Sequence, residues 1–130
     1  MKVAEVIRLC ALGGGVIATV KDSTSHYFGG YYHVRILISA DVPVTSASFD
    51  AAADYENAVV RLGHSVPFSR VLEKMAVPDA EIEVVRQQLL AAFDANVLPY
   101  LLRDDFVTSF VRSEYQKKLK SVPIFAGYHS

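Results

Sequence analysis

Apolar and polar positions alternate through the first third of the chain and recur at three- and four-residue spacing through most of the remainder. Segments 3–12, 16–21 and 31–39 are rich in Val, Ile, Tyr and Thr and are separated by Gly13-Gly14-Gly15 and Gly29-Gly30. They predict a three-stranded antiparallel meander, because the glycines supply the positive φ angles of tight hairpins. The third segment sorts most cleanly: Tyr32, Val34, Ile36 and Ile38 point one way, and Tyr31, His33, Arg35 and Leu37 the other. A two-residue turn at Gly13-Gly14 places Ile7, Leu9 and Ala11 with Val16, Ala18 and Val20 on one face. A three-residue turn mixes the faces more, so the shorter turn is preferred. A two-residue turn at Gly29-Gly30 sets His26 opposite His33 and Tyr27 opposite Tyr32. That register exchanges the faces of the second strand, which calls for a bulge near Asp22-Ser23 or, instead, a long loop from Asp22 to Gly30. Val3, Val6, Ile7 and Cys10 also fit a helical stripe ending at Gly13. The glycine-rich hairpin signals that follow favour a strand.

From Asp50 the period changes. Residues 50–62 are alanine-rich and end at Gly63, as a helix does. Pro67 is read as starting a short helix to about Met75. Pro78-Asp79 opens another, carrying Ile82, Val85, Leu89 and Phe93. Pro99 and Arg103-Asp104-Asp105 interrupt that pattern. A last helix follows with Phe106, Val107, Phe110, Val111 and Tyr115 as its stripe, and Glu114 spaced to pair with Lys117 or Lys118. Val122 to Tyr128 reads as an extended apolar end that packs on the body or on a neighbouring subunit. The predicted fold is α+β, a meander over residues 3–39 followed by three or four helices packed on one sheet face, in one domain spanning 1–130.

Composition narrows the function classes. Of the 130 residues, 52% are hydrophobic and 21% charged, with a net charge of −1, which excludes a disordered tail. No apolar run approaches the roughly 20 residues of a membrane span. Glu5 and Arg8 interrupt the first apolar stretch, unlike a signal peptide. With the single cysteine, Cys10, they make a reducing cytoplasm the expected compartment. Charge is uneven: residues 49–105 carry ten acids against five bases, and residues 106–130 four bases against one acid. Lys117, Lys118 and Lys120 suit the end of a helix. Without a wider basic face they do not argue for a nucleic-acid partner.

Candidate chemistry is sparse. Gly13-Gly14-Gly15-Val16-Ile17-Ala18 matches a relaxed dinucleotide fingerprint, but that motif needs a helix where the β-branched run Val16–Val20 predicts a strand. The richest polar and aromatic stretch runs from Asp22 to His33. Paired His26 and His33 could hold a metal with a third ligand from His64, Asp22 or Asp41, or place a base beside a tyrosine. Tyr27, Tyr31, Tyr32 and Arg35 complete the candidate group. The plainer reading is an aromatic hairpin used for contact, since tyrosine combines a large apolar area with a polar end. His64 and His129 read as loop and terminal residues, and Cys10 as an inert thiol. The expected function is therefore non-enzymatic. It is homo-oligomerisation or binding to a protein partner through the Tyr/His hairpin, with no cofactor. The alternative is a small-molecule or metal-binding protein, or an enzyme, with a His/Tyr site on the sheet.

Overall fold

The computed structural model describes residues 4–121. The apolar end expected over Val122–Tyr128, and His129, lie outside the described residues. The fold is α+β, with an antiparallel sheet and a helical C-terminal part. The strands are β1 (Glu5–Ala11), β2 (Ile17–Asp22), β3 (Ser25–Phe28), β4 (Tyr31–Pro43) and β5 (Ser65–Pro78). The helices are α1 (Ala52–Leu62), α2 (Ile82–Ala92), the short α3 (Leu98–Leu101) and α4 (Phe106–Ser121). By internal contacts the chain forms two compact units. One is the chain up to Ala40 with Phe68–Arg103, and the other is Asp41–Pro67 with the chain from Asp104 onward.

In the first unit, β1 is a strand, as the glycine signals favour. Its turn, however, takes three residues, not two. Leu12 donates to the Val16 carbonyl at 2.7 Å across Gly13–Gly15. Gly14 and Gly15 sit at φ 70 and 77, where a side chain would be strained. The extra residue reverses the faces of β1, because side chains alternate with period two. Arg8 and Cys10 therefore pair with the buried Val20 and Ala18, while Leu9 and Ala11 pair with Thr19 and Ile17 on the exposed side. A bulge at Ile7 resets the register, so that Val6 meets Lys21.

Strands β2 and β3 both pair with β4, and β5 pairs with β4 as well. No long loop separates β2 from β3. Asp22 pairs with Ile36 and Ser25 with His33, with the Ser23 amide bonded to the Arg35 carbonyl at 2.9 Å between them. Val34, Ile36 and Ile38 are buried, as the alternation predicts.

The segment read as a helix from Pro67 is strand β5. Val66 and Phe68 are buried and Ser65, Pro67 and Ser69 exposed, which is strand alternation. Proline is tolerated where no ladder donor is needed. Further on the buried side passes to Val77, and Ala76 between has φ 55, the chain's non-glycine residue at positive φ among those described. Ala76→Gly should therefore raise stability by about 1 kcal/mol, read from the midpoint of urea unfolding. A midpoint that does not rise would mean Ala76 is unstrained.

Helix α2 covers the sheet's inner face: Val85 packs with Val34 and Val77, flanked by Ile82 and Leu89. Pro99 does not end the helical path. The wide turn Phe93–Val97 has π geometry, and Pro99 sits in the first turn of α3 beyond it. A widened turn relieves the clash of a proline ring with the preceding turn.

In the second unit, α1 ends at Gly63, at φ 84, whose amide bonds the Val59 carbonyl at 2.8 Å. Helix α4 buries Phe106, Val111 and Tyr115 of the predicted stripe. Glu114 pairs with Lys117 at 3.0 Å.

Candidate interaction site

The hairpin β3–β4 turns at Gly29-Gly30, where Phe28 pairs with Tyr31. Tyr27 then bulges, so His26 pairs with Tyr32 and Ser25 with His33. The expected His26–His33 pair is therefore not formed, and neither is Tyr27 opposite Tyr32. A single extra residue moves a side chain to the other face. His26 shares a face with Tyr32, their rings edge to face at 5.3 Å, and its Nε2 donates to the Gly29 carbonyl at 2.5 Å. His33 lies on the opposite face, with Nε2 2.5 Å from Glu73 Oε1 of β5. Two imidazoles so placed cannot share one ion. Among the described residues no three His, Cys, Asp or Glu side chains converge as metal ligands. His64 lies in the second unit, where its carbonyl accepts from the Val44 amide at 2.9 Å.

What the hairpin does present is apolar area. Tyr27, Phe28 and Tyr31 are 53%, 71% and 45% exposed at one tip. More apolar groups are exposed at the far end of the same outer face, in the row of Ser39 and beyond. Leu9 and Ile17 of the first hairpin are 66% and 49% exposed, and Val6 joins them beside Lys21. Exposed large apolar groups scattered singly are ordinary, but grouped on one face they mark contact surfaces.

Arg35 shares that outer face by the alternation of β4. Its Nε is shielded from solvent and has no hydrogen-bond partner. Its amide donates to Thr24 Oγ1 at 3.3 Å. Thr24 is buried, and its own amide donates to Asp22 Oδ1 at 2.9 Å. Arg86 Nε of α2 approaches Asp22 Oδ2 to 2.7 Å and its guanidinium also pairs with Glu83. Burial works to raise the Asp22 carboxyl. The Thr24 hydroxyl and amide and the Arg86 charge outweigh it and hold the carboxyl below its ordinary value. This group ties the end of β2 to α2. No spacing in the sequence announces it, since Asp22 and Arg86 are far apart in the chain.

The second unit holds a cleft of about 250 Å³ lined by Phe49, Asp50, Asp54, Arg112, Tyr115, Gln116 and Leu119. Arg112 Nη2 lies 3.3 Å from Asp50 Oδ1, and its Nε donates to the Ser48 carbonyl at 2.5 Å. Phe49 meets Tyr115 edge to face at 5.4 Å, and Asn57 Nδ2 donates to the Tyr115 hydroxyl at 2.7 Å. Arg112 and Tyr115 lie one turn apart on α4, but the sequence did not show that they face Asp50 and Phe49. No helix of the described residues is long and apolar enough to cross a membrane. No family model, curated protein or solved structure matches the chain.

Proposed function

We propose that this protein works by association with another protein chain, through the aromatic tip of β3–β4 and the outer face of the sheet beside it. The exposure of Tyr27, Phe28 and Tyr31 at one hairpin carries the reading. Three aromatic side chains in open water forgo the stabilisation that burial gives, and aromatic groups dominate contact energetics. His26 and His33 lie on opposite faces of the hairpin and do not face one ion together, and His26 lies edge to face against Tyr32. The histidines then act by packing and local bonding: His26 closes the turn on Gly29, and His33 links β4 to β5 through Glu73.

The test is native mass spectrometry of the untagged full chain from its own cells, beside Tyr27→Ser/Phe28→Ser/Tyr31→Ser. The wild type should appear as a dimer or a stoichiometric complex with a second chain. The triple variant should appear as a single chain with an unchanged melting temperature. A wild type found only as a single chain, or a triple variant that associates as before, would overturn the reading.

A further inference from the structure

We propose that the cleft of the second unit binds a small organic cation, an ammonium group carried on a short apolar stem. The inference does not rest on the association reading, since every residue lining the cleft lies in the second unit and the hairpin lies in the first. The cleft measures about 250 Å³ and draws on two stretches of chain, Phe49 to Asp54 at the start of α1 and Arg112 to Leu119 on α4. Its apolar part is built from Tyr115, which is buried, and from the half-buried Phe49 and Leu119. Phe49 and Tyr115 stand at 87° to each other. In such a pair one ring keeps both of its faces free of the other, and a ring face is where a cation is drawn. Asn57 donates to the Tyr115 hydroxyl at 2.7 Å, and Arg61 Nε donates to Asn57 Oδ1 at 3.3 Å. The tyrosine is thereby fixed before a ligand arrives, which lowers the cost of binding.

The polar part selects the sign of the ligand. Asp50 and Asp54 stand against Arg112, which leaves one negative charge in excess. Arg112 is already engaged, with Nε donating to the Ser48 carbonyl and Nη2 3.3 Å from Asp50 Oδ1. The Asp54 carboxylate and the Gln116 carboxamide make no hydrogen bond or ion pair among the described residues. An ammonium group has three donors and no acceptor, so Asp54 and the Gln116 Oε1 atom can both receive from it. An anion would meet two carboxylates and an arginine that is in use. A neutral apolar ligand would shield Asp54 from water and give it nothing in return. A hard metal ion takes six or more oxygens, and among the described residues no three such ligands converge. The volume of about 250 Å³ lies below the roughly 300–1,000 Å³ of drug-sized sites, which points to a small amine.

Amide NMR of the full chain at pH 7 tests the proposal, with 2-phenylethylammonium as the probe and phenylacetate as its anionic counterpart. The ammonium should shift the amides of Asp54, Tyr115 and Gln116 saturably, with a Kd of about 1 mM or below. Phenylacetate should bind at least 10-fold more weakly. Asp54→Asn keeps the shape of the side chain and removes its charge, and should also weaken the ammonium at least 10-fold. Gln116→Glu adds a second free carboxylate and should tighten it about threefold or more, which keeps the test decisive if Asp54→Asn does not fold. Four results would each overturn the inference. They are no saturable shift at these amides, phenylacetate binding as well as the ammonium, variants binding as wild type, and shifts centred instead on Tyr27, Phe28 and Tyr31.

Discussion

Replacing Phe93 with alanine should lower the unfolding free energy by about 3–5 kcal/mol, the range for emptying a buried aromatic site. Phe93 is fully buried at the start of the π-shaped turn, and the Arg8 guanidinium lies 5.7 Å from its ring centroid. Arg8 is itself held, since its Nη1 also reaches Asp94 Oδ1 at 2.5 Å. Urea unfolding would show the midpoint moving down with the slope unchanged. Val60→Ala, at an exposed position of α1, is the control and should stay within about 0.5 kcal/mol. Equal effects at the two positions would mean that Phe93 does not belong to the core.

The second large effect is expected at Asp22. Asp22→Asn keeps an acceptor for the Thr24 amide but removes the charge that Arg86 faces, and should cost about 1–3 kcal/mol at neutral pH. The pH dependence has a definite sign. The carboxyl titrates lower in the folded protein than in the unfolded chain, so its contribution is fully present above the unfolded value, about pH 4. It is lost as pH falls through the lower folded value. Wild type and Asp22→Asn should therefore converge in strong acid, draw apart as pH rises through the folded and then the unfolded value, and differ by a constant amount above about pH 5. Parallel curves across that window would show that Asp22 is not held ionised by Thr24 and Arg86.

The features that were legible in the sequence were those carried by period and by glycine. The alternation of Val34, Ile36 and Ile38 marked the inner face of β4, and Gly63 marked the end of α1. What stayed hidden were single-residue insertions. The third glycine of the first turn and the bulges at Ile7 and Tyr27 each move the register by one, and one step exchanges every side chain between faces. The candidate site suffered most from this. His26 and His33 are correctly placed near one hairpin tip, yet the Tyr27 bulge puts them on opposite faces. Strand β5 was hidden for another reason. Pro67 starts helices often enough to outweigh the short alternation of Val66 and Phe68.

The bulge at Ile7 has a bearing on how the chain avoids its own aggregation. Among the described residues β1 pairs only with β2, leaving its other side open, and its sequence Val6-Ile7-Arg8-Leu9 is mostly apolar. A flat apolar margin of that kind is a template onto which further chains can add without limit, as in amyloid. The extra residue breaks the regular spacing of amide and carbonyl groups just where the margin is most apolar, and Arg8 adds a charge beside it. Growth by repeated strand addition is thereby obstructed at the edge.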